Sequence, residues 1–285
     1  MNLADINTVR SLLAKNGFTF KKSLGQNFLI NPDVCPAMAN AACDSETGVI
    51  EIGPGIGVLT RELAKTAKKV IAIELDERLK KILPETLSGL DNVEVIYGDA
   101  LKLDLNEIIK EKLSCCKSVA VCANLPYYIT SPVIMNLLES RLPITSVTVM
   151  VQKEVAMRMQ AGPGTKDYGA LSLAVQFYAE PYIAANVPPN CFIPRPNVGS
   201  AVIRLKTYEQ PQIQVKDEAF LFALIRASFN QRRKTLVNSL KNASDLKLEK
   251  EQVLEALRTM GLSETVRGEA LTLEQFASLA DLLKA

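Results

Sequence analysis

The chain has 285 residues, an apolar fraction of 48% and a formal net charge of +2. That is ample material for a core, in one large domain or a larger and a smaller one, with a charge too near neutrality to mark a nucleic-acid binder, so any basic surface must be local. No histidine is present, which excludes a Ser-His-Asp triad, a His-ligated zinc site and a His general base.

The N-terminus is mixed in polarity, with Asp5 and no apolar core of a signal peptide, and no apolar run approaches the ~20 residues needed to span a bilayer. A cytoplasmic protein without a membrane partner is expected. Cys35, Cys43, Cys115, Cys116, Cys122 and Cys191 form no C-x-x-C pair and read as reduced thiols, not as a disulfide or zinc framework.

Residues 1–30 carry Arg10, Lys15, Lys21 and Lys22 against Asp5 alone and end in Ser23-Leu24-Gly25-Gln26-Asn27-Phe28-Leu29-Ile30. They read as a solvated arm leading into a helix that starts at Asn31-Pro32-Asp33, or as a basic arm whose Gln-Asn amides fold over a ligand. Val49-Ile50-Glu51-Ile52 is a short apolar strand that runs through Gly53-Pro54-Gly55-Ile56-Gly57 into a helical pattern from Val58. Strand, glycine-rich turn and helix begin many nucleotide-binding α/β folds, because glycine lets the backbone approach a ligand at the helix N-terminus. The position after Gly57 is Val58, so the turn departs from the dinucleotide fingerprint G-x-G-x-x-G.

A second strand, Val70–Ile73, ends in Glu74-Leu75-Asp76. Glu74 falls about 20 residues after the first glycine, where such folds place the acid that binds ribose hydroxyls; Asp76 suits a helix N-cap. A helix is expected over 76–87, then a strand Val93–Ile96 ending in Tyr97-Gly98-Asp99-Ala100. Asp99 caps a turn or accepts a hydrogen bond from an adenine amine.

The strand Val119–Ala123 delivers Asn124-Leu125-Pro126-Tyr127. Asn124 offers a carbonyl acceptor and an NH2 donor, Pro126 forces a turn, and Tyr127 presents a face on which a flat ring can stack. Together they suit a purine amine. Thr130-Ser131-Pro132 begins the next helix, Val147–Val151 is a fifth strand and 200–205 a last one. Alternating strands and helices imply a parallel sheet with ligands at the strand C-termini, and Gly53, Glu74, Asp99 and Asn124 all fall at such ends.

Residues 152–159 read as helix and 161–169 as a flexible loop that connects or gates. Val187-Pro188-Pro189-Asn190-Cys191-Phe192-Ile193-Pro194-Arg195-Pro196 is too proline-rich for regular structure and presents Phe192 and Arg195 from a stiff loop. Beyond about residue 207 helical periods take over, at 217–241, 248–260 and 272–284, which divides the chain into 1–207 and a smaller all-α domain at 208–285. Arg226, Arg232, Arg233, Lys234 and Lys241 occur between Ala219 and Ser244 without an acid. A run of this kind is commonly a solvated face, but five unopposed bases on one helix of a near-neutral chain point to phosphate binding. RNA contacts are expected at Lys21, Lys22, Arg226, Arg232, Arg233 and Lys234.

Taken in order and spacing, Leu24–Leu29, Glu51–Gly57, Glu74–Asp76, Gly98–Ala100, Asn124–Tyr127, Gln152–Val155 and Phe192–Pro196 make the chain resemble the bacterial small-subunit (16S) rRNA adenine dimethyltransferase family, the kasugamycin-sensitivity methylases. The resemblance implies an α/β, Rossmann-like S-adenosylmethionine-dependent methyltransferase sheet with the smaller helical domain. The implied reaction is N6,N6-dimethylation of two adjacent adenosines in the 3′-terminal hairpin loop of small-subunit rRNA, within the immature small ribosomal subunit, by a monomeric enzyme. On the resemblance, Asn27, Leu29, Gly53, Gly55, Glu74, Asp99 and Asn124 hold the cofactor, S-adenosyl-L-methionine. Asn124, Leu125, Pro126, Tyr127 and Phe192 hold the target base, and no metal is required.

Three alternatives stand beside this reading. The related large-subunit rRNA adenine methylases of macrolide resistance share a similar Asn-x-Pro-Tyr motif, although the Phe192–Pro196 loop and the C-terminal pattern favour the assembly enzyme. A non-catalytic assembly or transcription factor on the same fold is opposed by the intact motifs. A nicotinamide oxidoreductase is opposed by the missing third glycine.

Overall fold

The computed structural model describes residues 1, 3, 5–19 and 28–284; Lys21, Lys22 and Asn27 lie outside them. The chain forms two compact units, Met1–Ala156 with Pro181–Thr207, and Met157–Glu180 with Tyr208–Ala285.

The first unit is built on a sheet whose strands are β1 (Thr47–Ile52), β2 (Lys69–Glu74), β3 (Val93–Tyr97), β4 (Ser118–Asn124), β5 (Ser146–Gln152), β6 (Ala179–Val187) and β7 (Ser200–Thr207). Their order is β3-β2-β1-β4-β5-β7-β6. The pairings β1–β2, β1–β4, β2–β3 and β4–β5 are parallel, and β7 runs antiparallel to β5. Every residue of β1 is buried, as a parallel strand covered on both faces requires. The strand order reverses between β1 and β4, which opens a crevice at their C-terminal ends. Register sets its walls: Ile52 pairs with both Ile73 and Ala123, so Gly53, Glu74 and Asn124 emerge together at one edge.

Strand β6 escaped the sequence reading because Pro181 interrupts it and its exposure alternates. It is one of the two edge strands of the sheet, a position where a missing N–H can be tolerated. The helix expected over 76–87 is a 3-10 turn, Glu77–Lys81, followed by a short helix, Leu83–Thr86; Pro84 lacks the N–H that a continuous helix would need.

The start of the chain is not a solvated arm throughout. Ile6–Lys15 is a helix capped by Asp5, which accepts a hydrogen bond from Thr8 N at 2.8 Å. Val9, Leu12 and Leu13, spaced along one helical face, are buried with Ile56, Leu79, Ile82 and Leu83.

The second unit is helical but is not the continuous 208–285 expected. Helix Ala170–Tyr178 contributes Leu173 and Phe177 to the cluster that contains Leu221, Leu224, Ile225 and Phe276, so burial of its apolar face joins 157–180 to this unit. The 161–169 loop is tied down as well. Gly164 N donates to Glu269 O at 2.8 Å, and the buried Tyr168 hydroxyl donates to Leu271 O at 2.9 Å.

The single helix expected over 217–241 is two, Glu218–Asn230 and Leu236–Lys241. Gln231 leaves helical geometry, and Thr235 caps the second helix through Asn238 N. Helices Lys250–Thr259 and Leu273–Leu283 follow. Among the described residues no helix is long and apolar enough to cross a membrane.

Candidate active site

One cavity opens at the C-terminal edge of the sheet, within the first unit. Its lining includes Leu29, Gly53, Gly55, Glu74, Asp99, Asn124, Leu125, Pro126, Tyr127 and Phe192, which are all the cofactor and target residues expected from the sequence except Asn27. Glu51, Phe28, Leu75, Leu101 and Tyr128 also line it.

The turn after β1 explains its glycines. Gly53 has φ 72° and Gly57 φ 87°, backbone that side-chain-bearing residues adopt only under strain. A Cβ on Gly57 would stand 2.8 Å from Leu87 Cδ2, whereas none would meet an atom at Gly53 within 4 Å. Gly53 N is held by Ile73 O at 2.9 Å, which fixes the turn against β2.

Glu74 ends β2 and organises this turn. Its Oε2 accepts from Gly55 N at 3.1 Å and its Oε1 from Asp76 N at 2.7 Å. Burial pushes the Glu74 carboxyl upward, against the lowering effect of those backbone donors. A carboxylate has about four lone-pair sites, so acceptor capacity remains for ribose hydroxyls. Asp76 caps the following 3-10 turn. Just past the end of β3, Asp99 caps a turn, its Oδ1 accepting from Leu101 N at 3.0 Å, and the residue also lines the cavity.

Glu51 opens the glycine motif Glu51–Gly57. It is 1% exposed in the middle of the sheet, and its Oε2 has no hydrogen-bond partner among the described residues. Burial above all, opposed by the nearby Thr60 hydroxyl and reinforced by the Glu74 charge, pushes its carboxyl up to about 8. An acid inside an otherwise apolar strand was the available signal for it.

The acceptor side is built by β4 and the turn after it. Asn124 is half-buried at the strand end, and Leu125 is buried. Pro126 precedes the 3-10 turn Tyr127–Ile129. Its carbonyl accepts from Ile129 N at 3.1 Å and from Thr130 Oγ1 at 3.2 Å, which occupies both of its lone pairs. The Tyr127 hydroxyl and Ser200 Oγ are 2.8 Å apart, which ties the ring to β7. No sequence signal marked Ser200. Across the cavity Phe192 is buried, and the antiparallel register Phe28↔Ile193, Leu29↔Phe192 clips the two segments together. Ile30 N reinforces this by donating to Cys191 O at 2.8 Å.

The basic residues lie in the helical unit. Arg226 is exposed on helix Glu218–Asn230, while Arg232, Arg233 and Lys234 are exposed in the turn between the two helices. They are therefore not on one helix, nor all unopposed. Arg232 Nη2 is 3.2 Å from Glu269 Oε2, and its Nη1 donates to Lys166 O at 2.8 Å.

The residues present fit S-adenosylmethionine. An open glycine approach, a bonded acid after β2, an acid after β3 and an orphaned buried carboxyl oxygen suit a ligand with a nucleoside end and a cationic end. Sheet order and site together define a class I S-adenosylmethionine-dependent methyltransferase. Within that class the chain belongs to the ribosomal RNA adenine dimethylase family, which it matches over residues 17–285.

It is 56% identical over 283 residues, 99% of this chain and 97% of the relative, to ribosomal RNA small subunit methyltransferase A of Lachnoclostridium phytofermentans. The protein of the same name from Bacillus pumilus is 52% identical over 277 residues, 96% of this chain and 95% of the relative. Among solved structures, a dimethyladenosine transferase from Plasmodium falciparum matches with TM-score 0.74 at 28% identity, covering 88% of this chain and 95% of its own. The 23S rRNA methyltransferase ErmE matches with TM-score 0.68 at 27% identity, covering 90% and 100%.

Proposed function

We propose that this enzyme dimethylates N6 of two adjacent adenosines in the 3′-terminal hairpin loop of small-subunit rRNA, acting as a cytoplasmic monomer on the immature small ribosomal subunit. The observation that carries the reading is the convergence of Glu74, Asp99 and Asn124–Tyr127 on one cavity. The curated relatives named as small-subunit methyltransferases support it over large-subunit modification.

When bound, the cofactor supplies a methyl group already activated by a sulfonium, so the chain's task is positioning. Glu74 takes the ribose hydroxyls, Asp99 the adenine amine, and Gly53, Gly55 and Leu29 line the path of the methionine end, with Asn27 closing from the arm. The adenine amine of the RNA is a poor nucleophile because its lone pair is delocalised into the ring. The Asn124 side-chain oxygen accepts one of its N–H groups. The Leu125 carbonyl accepts the other, because the Pro126 carbonyl is already taken by Ile129 and Thr130. Held in this way the nitrogen pyramidalises and aims its lone pair at the methyl carbon. Tyr127 and Phe192 bracket the flipped base. The proton leaves after transfer, so a chain without histidine suffices. Arg226, Arg233 and Lys234, with Lys21 and Lys22 of the arm, meet phosphates, and Arg232 supports their turn.

The test is transfer of radiolabelled methyl groups to undermethylated small subunits, followed by mapping of the modified bases. Label is expected on two adjacent adenosines of the terminal hairpin; label confined to large-subunit rRNA overturns the reading. Asn124→Ala is expected to lower transfer by at least about 10²–10³-fold, the cost of removing a positioned transition-state hydrogen bond, with cofactor affinity largely retained.

A further inference from the structure

Of the eight large apolar side chains exposed among the described residues, three border the active-site cavity: Leu75, Leu101 and Tyr128. Single exposed apolar residues are ordinary, but three at one mouth mark a surface meant to be covered. They divide by position. Leu75 and Leu101 follow β2 and β3, on the side of Glu74 and Asp99. Tyr128 follows β4, on the side of Asn124, and is 58% exposed. Its neighbour Tyr127 is half-buried and tethered to Ser200, whereas the Tyr128 hydroxyl bonds to none of the described residues.

We infer that Tyr128 is a stacking platform for the nucleotide next to the one being methylated, so that the Tyr127–Tyr128 pair reads two consecutive bases. This rests on the proposed function and deepens it. Extruding one base from a loop leaves its neighbour without a stacking partner. Tyr127 and Tyr128 are consecutive in a 3-10 turn, where successive side chains project about 120° apart, so the two rings address different places. A tethered ring inside the cavity and a free ring at its rim therefore match a flipped base and the one it leaves behind. With two adjacent adenosines as substrates, the strand shifts by one nucleotide between reactions, so the rim meets a different neighbour each time. An aromatic face suits this shift because stacking tolerates a change of base and of methylation state, which a hydrogen-bonded pocket would not.

The test uses small subunits reconstituted with rRNA whose terminal hairpin is a ligated synthetic fragment, carrying either both adenosines or one adenosine beside an abasic nucleotide. On the two-adenosine substrate, Tyr128→Ala is expected to lower kcat/KM by about 5- to 150-fold, the range for losing one base–aromatic stack, and Tyr128→Phe to recover most of it. With the abasic substrate the wild type shows the same loss, and Tyr128→Ala adds no more. Independent, multiplying losses overturn the inference, as does failure of Tyr128→Phe to recover, which would assign the effect to the hydroxyl. A loss of cofactor affinity in Tyr128→Ala equal to its loss of kcat/KM also overturns it, by placing the ring over the cofactor. Absence of any adenosine label with the wild-type enzyme would instead overturn the proposed function.

Discussion

Glu51 and Glu74 stand near the ends of neighbouring strands in opposite states of hydrogen bonding. Both oxygens of Glu74 accept backbone N–H groups, while Oε2 of Glu51 has no partner among the described residues. The Glu74 charge adds to burial in pushing Glu51 up to about 8 from an ordinary 4.5. Between those two pH values the unfolded chain has released a proton that the folded chain keeps. The contribution of Glu51 to stability is therefore fully present below about 4.5, falls with rising pH and is exhausted above about 8. The slope is up to about 1.4 kcal/mol per pH unit. Glu51→Gln, which has no such titration, should flatten this part of the pH profile and gain most over the wild type near pH 8. Urea unfolding of both proteins without cofactor from pH 5 to 8 measures it, and parallel profiles would contradict it.

Glu74 carries a different expectation, because its carboxylate both builds the glycine turn and faces the cavity. In Glu74→Gln one of the two N–H groups, Gly55 or Asp76, would meet an amide NH2 in place of an oxygen. Charge-assisted hydrogen bonds contribute about 1.5–3 kcal/mol, so S-adenosylmethionine should bind about 10- to 100-fold more weakly by calorimetry. The melting temperature should fall in the same variant. An unchanged dissociation constant would remove Glu74 from cofactor binding.

The Tyr127–Ser200 contact joins a motif residue to a strand that the motif does not predict. Ser200→Ala leaves the Tyr127 ring in place but frees its edge. The net worth of such a bond is about 1 kcal/mol, so kcat should fall about 5-fold with cofactor affinity unchanged. Tyr127→Phe should match it, and the double variant should lose no more than either single one. Additive losses in steady-state kinetics would show that the two hydroxyls act separately.

What was legible in the sequence follows from where its signals are local. The Gly53–Gly57 turn, Glu74, Asp99 and Asn124–Tyr127 each follow an apolar run, and the parallel register then brings strand ends together without further information. Signals that depend on distant partners were not legible. Ser200 matters only through Tyr127, and Leu29 meets Phe192 through a pairing of two-residue strands. Helix Ile6–Lys15 was hidden behind its charges although Val9, Leu12 and Leu13 already marked a face. The break at 231–235 was hidden because its residues are polar and carry no glycine or proline. Arg232 could not be seen as paired, since Glu269 lies on a distant part of the chain.

That pairing divides the basic turn into one bridged cation and two exposed ones, and salt dependence can tell whether the exposed pair meets phosphate. Arg233 and Lys234 are exposed, whereas Arg232 bridges Glu269 and Lys166 O. A cation that displaces counterions from a phosphate steepens the fall of affinity with salt, by about 0.7 to 0.9 in log–log slope per contact. Arg233→Ala and Lys234→Ala should each reduce the slope for small-subunit rRNA by about that amount, leaving the melting temperature within about a degree, since exposed residues contribute little to stability. Arg232→Ala should leave the slope closer to the wild-type value and lower the melting temperature, because the 161–169 loop loses one of its ties while those of Gly164 and Tyr168 remain. Filter binding over a salt series, beside thermal unfolding of the same three variants, distinguishes the roles. Equal slopes in all three would assign phosphate contact elsewhere in the chain.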